Sequence, residues 1–364
     1  MSKRILLAAG GTGGHMFPAQ ALAECLKNDG WQIAMMTDAR GRKHVGNIPA
    51  DPVIEVQAAT ISPRRPVRAI GGMWKLMQGV GTAKAFIKDW QPDVVVGFGG
   101  YPAFPALKAA QAMKIPTILH DQNAVLGRVN RVFARKANMV ISGFDILEKL
   151  PAGIKKNVHW QVLGNPLRAN ILAASQRVYQ PPGDQINLLI VGGSLGARLL
   201  CETVPKAVAL LSDEMRKRLS IVQQTRPESL DLAREIYAKA GVRAICEPFF
   251  SDIETHLAKA HYIIARAGAS SVSEIMAMGL PSLLVPLKIA MDDHQTVNAL
   301  PLKNLGAADI LPEFEFTPDR VKSILTERLN DSSWLETASG AARSAAKLGA
   351  TTDLAKCVTR IAAQ

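Results

Sequence analysis

One pattern constrains the fold more than any other, because it occurs twice. Ile-Leu-Leu-Ala-Ala-Gly-Gly-Thr-Gly-Gly-His at 5–15 is matched at 187–197 by Asn-Leu-Leu-Ile-Val-Gly-Gly-Ser-Leu-Gly-Ala. Each is an unbroken apolar run that empties into a glycine loop. A strand apolar at every position is buried on both faces, the condition of a parallel sheet covered by helices. Similar runs recur at 94–96, 117–119 and 139–141, and in the second half at 188–191, 220–223, 243–246, 262–265, 282–285 and 308–311. Stretches of helical period, such as 18–26 and 103–113, lie between them. The alternation predicts an α/β chain of βαβ units. Its duplication at about half the 364 residues predicts two Rossmann-like, doubly wound parallel-sheet domains facing across a cleft. The expected division is an N-terminal domain at 1–165, a C-terminal domain at 166–340, and a C-terminal helix at 341–364 able to pack back on the first domain. The alanine-rich stretch 338–364 reads as helical throughout. The polar clusters fall at the carboxyl ends of the strands, where open α/β sheets bind ligands.

Composition narrows the class. Hydrophobic residues make up 48% and charged residues 20%, enough for a large core and too apolar for disorder. The four cysteines, Cys25, Cys201, Cys246 and Cys357, form no C-x-x-C pair. A disulfide framework and a zinc ribbon are therefore not expected, and a reducing compartment is. No apolar run reaches the ~18 residues of a membrane span, and the N-terminus passes straight into a strand, which points to the cytoplasm. The net charge of +12 is unevenly placed: 1–165 carries 21 Lys and Arg against 10 Asp and Glu, and 166–364 carries 22 against 21. A basic first half attracts an anionic partner: nucleic acid, a phosphorylated ligand or an acidic membrane surface.

Several motifs carry chemistry. The loop 10–15 lies between a strand and a helix, where glycines admit a ligand to the helix N-terminus; a tight structural turn is the alternative. It lacks the Lys-Ser/Thr of a P-loop, and Asp38 is the best acid to close the next strand. His15 reads as a general base or as a helix-cap histidine. In the second loop Ser194 can donate to phosphate. At 265–275 a strand passes through Gly268 into small residues and then Glu274. Glu274 can hold a ribose diol, or it can close a capping box with Ser271 as N-cap. Asp292, Asp293 and His294 have no partner cluster with metal-ligand spacing, so no metal site is expected. In the segment 62–90, Ile70, Met73, Trp74 and Met77 fall near helical spacing among Arg64, Arg65, Arg68, Lys75, Lys84 and Lys88. That is the pattern of an interfacial membrane site, or of a core helix with a solvated basic side.

Taken together, GGTGGHMFP at 10–18, GFGGYPAFP at 97–105, HDQN at 120–123 with Gly127 and Asn130, VLGNPLR at 162–168, GGSLGAR at 192–198, the stretch 266–274 and DHQTVNAL at 293–300 resemble the MurG family of bacterial peptidoglycan glycosyltransferases. The resemblance implies a GT-B fold and inverting transfer of GlcNAc from UDP-GlcNAc. The acceptor is the C4 hydroxyl of a lipid-linked N-acetylmuramyl-pentapeptide, reached from the cytoplasmic face of the bacterial inner membrane, where the enzyme attaches peripherally. It further implies no cofactor. Thr12, Gly13, Gly14 and Asn123 would reach the sugar from the first domain, and Arg168 and Ser194 the donor from the second. Phe250 matches the position whose backbone meets uracil. Ala269, Ser270, Ser271, Val272, Ser273 and Glu274 form the diphosphate-ribose stretch, and Gln295 meets the GlcNAc hydroxyls. Two departures stand out. Asp121 occupies a position commonly held by Glu, and 222–226 lacks the histidine and glycine of the family's H-Q-[ST]-G turn.

Inverting transfer needs a base for the acceptor hydroxyl and stabilisation of the departing diphosphate. His15 is the first candidate for the base and Asp121 the second. Helix N-termini near Gly14 and Ser271 would face the diphosphate. The competing readings are a GT-B enzyme acting on another lipid such as diacylglycerol, a nicotinamide oxidoreductase without a clean fingerprint, and a nucleic-acid binder lacking any recognisable module. No nucleic-acid partner is expected.

Overall fold

In the computed structural model, residues 3–11, 13–57, 66–154, 159–193, 196–288 and 290–364 are described. The chain divides into two units, the first made of 1–168 with 347–364 and the second of 169–346. The cuts fall at 168/169 and 346/347, later in the chain than the expected 165/166 and 340/341. A helix Ser332–Ser344 belongs whole to the second unit, anchored by Leu335 in its core. Arg168, expected in the second unit, ends the first, with its guanidinium 4.4 Å from the Phe17 ring centroid. The tail is also not one helix. It breaks at 345–349 and resumes as Ala350–Ile361, whose Leu354, Val358 and Ile361 join the core of the first unit.

The first unit is built on seven parallel strands, β1 (Arg4–Ala8), β2 (Gln32–Thr37), β3 (Val53–Glu55), β4 (Val94–Gly97), β5 (Thr117–Asp121), β6 (Met139–Ser142) and β7 (His159–Val162), in the order β3-β2-β1-β4-β5-β6-β7. Alternate residues of each central strand enter separate cores. Ile5, Leu7, Val94, Val96 and Ile118 meet α1 (Gly13–Asn28) and the C-terminal helix on one face. Leu6, Ala8, Val95 and Leu119 meet α2 (Pro66–Trp90), α3 (Ala103–Ala112) and α4 (Arg128–Phe133) on the other. Strand side chains alternate faces, so both faces can be dry only if every position is apolar, as these runs are.

The second unit repeats the plan with six parallel strands, β8 (Ile186–Val191), β9 (Leu219–Gln224), β10 (Arg243–Glu247), β11 (Tyr262–Ala265), β12 (Ser282–Leu284) and β13 (Ala308–Ile310), ordered β10-β9-β8-β11-β12-β13. Leu188, Ile190, Ile221, Ile264 and Leu283 lie in one core, and Leu189, Ile263 and Leu284 are buried on the opposite face. In both sheets the strand order reverses beside the first strand, between β1 and β4 and between β8 and β11. Such a switch point opens a crevice at the carboxyl edge of an open α/β sheet.

Candidate active site

The first switch point brings two glycine loops together. A Cβ on Gly10 would lie 2.6 Å from Pro102 Cγ, and Gly11, Gly99 and Gly100 all hold positive φ. A side chain at these glycines would either strike its neighbour or strain the backbone. The backbone N–H of Gly11 donates to Asp38 Oδ1 at 3.2 Å, and that of Gly41 donates to the same oxygen at 2.8 Å. Asp38, the residue that follows β2, therefore braces the loop and pairs with Arg40 at 3.1 Å. Helix α1 starts at Gly13, which puts His15 in its first turn, beside Gly99 and Gly100.

His15 is held through its ring. Its Nδ1 lies 2.8 Å from Gln122 Oε1, while Gln122 Nε2 lies 3.1 Å from His120 Nδ1 and His120 Nε2 lies 3.0 Å from the carbonyl of Gly164. His120 is fully buried, and burial lowers its pKa to about 4. Asp121, one residue on, is buried as well. Burial pushes its carboxyl pKa up, partly offset by the N–H groups of Gly127 (2.6 Å), Asn130 Nδ2 (2.9 Å) and Asn123 (3.2 Å) that donate to it. These donors make Asp121 the clamp that shapes 123–130. Both its oxygens are engaged, whereas the His15 ring stands against Gly99 through Cε1 and Nδ1 and against Gly100 through Cδ2. Of the first-domain residues expected to reach the sugar, Gly13, Gly14 and Asn123 lie at this edge of the sheet, and Thr12 is outside the described residues.

In the second unit, the loop after β8 is braced in the same way by an amide. The Gly192 N–H donates to Gln224 Oε1 at 3.1 Å, and Gln224 Nε2 donates to the Pro248 carbonyl at 3.3 Å. Gly193 and Gly196 hold positive φ, and a Cβ on Gly192 would collide with the backbone N of Ala197. Ser194 lies outside the described residues.

After β11 the helix Ala269–Met278 begins with Gly268 as its N-cap. Ser271 is in the third helical position and Glu274 in the sixth, so the two do not form a capping box with Ser271 as N-cap. Ala269, Val272 and Ser273 are buried, while Ser270, Ser271 and Glu274 are half-buried along the outward edge. Ser270 Oγ has no hydrogen-bond partner among the described residues. Backbone N–H groups of a first turn, with small hydroxyl side chains beside them, suit an anionic ligand.

Arg266, just before this helix, is structural. Its Nη1 donates to the Val285 carbonyl at 3.1 Å and its Nη2 pairs with Glu313 Oε1 at 2.6 Å. Gln295 Oε1 accepts from the Leu287 N–H at 3.0 Å, which fixes its amide at the end of β12. Phe250 is half-buried, its ring edge-on to His256 at 4.7 Å. Among the described residues, no three His, Cys, Asp or Glu side chains come together to hold a metal ion.

Helix α2 has two apolar faces. Leu76, Val80, Ala83 and Ile87 are buried, whereas Met73, Trp74 and Met77 are 50%, 64% and 54% exposed. Lys75, Lys84 and Lys88 are exposed as well. The side chains of Ile70 and Arg68, and all of Arg64 and Arg65, lie outside the described residues. No described helix is long and apolar enough to cross a membrane.

Sequence patterns alone give no role to Gln122, His120, Gly164, Gln224 or the Arg266–Glu313 pair. The motif 120–123 is the available signal, but which of its side chains face His15 depends on the sheet.

Comparison with known proteins places the chain. The N-terminal domain model of glycosyltransferase family 28 matches residues 5–142 and the C-terminal domain model matches 187–353. A protein of Maricaulis maris is 48% identical over 98% of this chain and 97% of its own, and one of Caulobacter vibrioides is 46% identical over the whole of both. Both relatives bear the name UDP-N-acetylglucosamine--N-acetylmuramyl-(pentapeptide) pyrophosphoryl-undecaprenol N-acetylglucosamine transferase. The crystal structure of Acinetobacter baumannii MurG superposes with a TM-score of 0.79 at 30% identity, covering 98% of this chain and 99% of that one. The calicheamicin glycosyltransferase CalG4, at 15% identity and a TM-score of 0.69, shares the GT-B fold. With both domain models matched in order and relatives similar from end to end, the chain belongs to glycosyltransferase family 28.

Proposed function

We propose that this chain transfers N-acetylglucosamine from UDP-GlcNAc to the C4 hydroxyl of undecaprenyl-pyrophosphoryl-N-acetylmuramyl-pentapeptide, with inversion at the anomeric carbon. The observation that carries this reading is the end-to-end similarity, at 46–48% identity, to transferases named for that reaction. His15 takes the proton of the acceptor hydroxyl. Asp121, with both oxygens occupied by N–H donors, shapes the loop rather than acting as base. Gly13, Gly14, Thr12 and Asn123 contact the transferred sugar. In the second unit the helix beginning at Ala269 meets the diphosphate with its free N–H groups, where charge grows as UDP departs. Ser194 joins it, Glu274 accepts from the ribose hydroxyls, Phe250 meets uracil through its backbone, and Gln295 meets the GlcNAc hydroxyls, while Arg168, at the end of the first unit, contacts the donor.

The exposed face of α2 attaches the enzyme to the anionic cytoplasmic surface of the inner membrane as a peripheral protein. Met73, Trp74 and Met77 are exposed on a helix whose opposite face supplies the core, which is why a membrane role suits them better than packing. Each nearby Lys or Arg adds about 1 kcal/mol at an anionic bilayer.

Purified protein should move label from UDP-GlcNAc to the lipid-linked muramyl-pentapeptide. Transfer to diacylglycerol instead would replace the acceptor assignment. Substituting Trp74 and Met77 by Ser should release the protein from anionic vesicles and spare activity on a short-chain acceptor. Undiminished vesicle binding would place the membrane site elsewhere.

A further inference from the structure

We propose that Gln122 is a positioning residue that, with His120, holds the His15 imidazole with its proton on Nδ1 and its Nε2 lone pair bare towards the acceptor. The proposal rests on the reading of His15 as the base, and deepens it by saying what makes that imidazole a base at the required atom.

The argument starts from a group with no choice. The Gly164 carbonyl can only accept, so the His120 Nε2 3.0 Å away carries a hydrogen. His120 is fully buried and, with a pKa lowered to about 4, neutral near pH 7. A neutral imidazole has one N–H, so His120 Nδ1 is bare and must be met by a donor. That donor is the Gln122 amide nitrogen at 3.1 Å, whose second hydrogen reaches the His120 carbonyl at 3.5 Å. The amide thus has one orientation. The flipped form would set its oxygen against the lone pair of His120 Nδ1. Gln122 Oε1 therefore faces His15 Nδ1 at 2.8 Å, and because an amide oxygen only accepts, the hydrogen between them belongs to His15. Nε2 of His15 is then the lone-pair nitrogen.

The chain is anchored at its far end by backbone. Gly164 has φ +92°, and a Cβ there would lie 2.5 Å from Lys347 Cβ, so its carbonyl is held in a conformation that other residues resist. At the near end, Asn165 Nδ2 donates to the Gln122 carbonyl at 3.0 Å and fixes the backbone from which the amide projects. The titratable groups whose charge couples to His15 are His120 and Asp121, both on β5. Neither competes for the Nδ1 proton, since His120 is spent on Gly164 and Gln122 and the oxygens of Asp121 are taken by Gly127, Asn130 and Asn123.

Two variants and one spectrum test this. Gln122→Met removes the acceptor at His15 Nδ1, which frees the imidazole to put its proton on Nε2. kcat should fall roughly 10- to 100-fold, less than the about 10²–10⁴ expected for loss of the base itself, with KM for UDP-GlcNAc unchanged. Gln122→Glu keeps an acceptor for His15 and offers no N–H to His120. It should retain more kcat than Gln122→Met, with the acid limb of its pH–rate profile moved to higher pH because a carboxylate holds the imidazolium. In wild-type protein with ¹⁵N-labelled histidine, the His15 signals, assigned by their loss in His15→Gln, should report the Nδ1–H form. The Nε2–H form there would overturn the proposal whether or not the variants fold. His15→Gln inactive beside a Gln122→Met with wild-type kcat and pH profile would remove the relay and leave the base. His15→Gln with kcat intact would remove the base reading, and the proposal with it.

Discussion

The two glycine loops are built to one plan and differ in the charge beneath them. Each follows the first strand of its sheet, and each has a glycine N–H held by a side chain from the end of the neighbouring strand: Gly11 by Asp38, Gly192 by Gln224. The brace is similar in length, 3.2 and 3.1 Å, but one acceptor is a carboxylate and the other an amide. A buried negative charge under a loop opposes any phosphate above it. At about 7 Å and an effective dielectric near 20 the repulsion is about 2 kcal/mol per unit charge. Exposed Arg40 offsets part of it in the first unit. The amide of the second unit braces without charge. The comparison teaches that a glycine loop at a switch point is not by itself a phosphate site. The bracing residue matters: under the proposed function a carboxylate below the first loop disfavours a phosphate there, whereas the amide below the second does not.

If the first unit carries chemistry and the second the donor, the largest effect should come from His15→Ala. kcat should drop by about 10²–10⁴ with UDP-GlcNAc affinity nearly unchanged. Steady-state kinetics with both substrates varied would show it, and a change mainly in donor KM would break the division of labour. Asp121→Asn should instead cost stability, since an amide would aim N–H groups at donors already in place.

The next effect is a pH dependence of the first unit. Folded His120 takes its proton only near pH 4, whereas an unfolded imidazole takes it near 6.5. As pH falls through that window the unfolded chain is protonated first, so stability declines, by roughly 3 kcal/mol for a shift of this size. Burial lowers the pKa of His261 in the second unit as well, adding to the decline. Asp121, with its pKa raised, works in the opposite sense, its folded form gaining the proton first on acidification. Urea unfolding of wild type and His120→Gln at several pH values would separate these contributions. A variant as steep as wild type would mean that His120 is not the group responsible.

The braces themselves can be exchanged. Gln224→Glu should weaken UDP-GlcNAc binding by about 2 kcal/mol, and Asp38→Asn should leave it almost untouched. Equal losses from both, measured by calorimetry, would erase the distinction between the loops. The smallest effect should come from chelation: if, as proposed, helix N–H groups meet the charge of the leaving diphosphate, EDTA should leave turnover unchanged, and loss restored by Mg²⁺ would overturn that assignment.

Much of the architecture is legible in the order of residues alone. Runs apolar at every position, such as 188–191, leave a strand no solvent face, and they announce the central strands of both sheets. The strands that local pattern does not announce are at or near sheet edges. β3 is three residues long, and β7, His159–Val162, carries His, Trp and Gln, because an edge need not be apolar on both faces. Helix breaks are poorly legible. Ser332–Ser344 and Ala350–Ile361 share an alanine-rich composition, yet each buries its apolar stripe in a different unit, and nothing local reports which.

The sequence by itself determined the duplicated α/β plan, the positions of the glycine loops and, through its resemblance to a family, the reaction to expect. Tertiary structure decided what individual side chains do. It made Gly268 rather than Ser271 the N-cap, turned Met73, Trp74 and Met77 outward, spent Asp38 on a loop and Arg266 on Glu313, and lined up Gly164, His120, Gln122 and His15. The reason is physical. Burial and loop position follow from patterns a few residues long, whereas a hydrogen bond between residues 107 apart in sequence exists only once parallel strands have set their register.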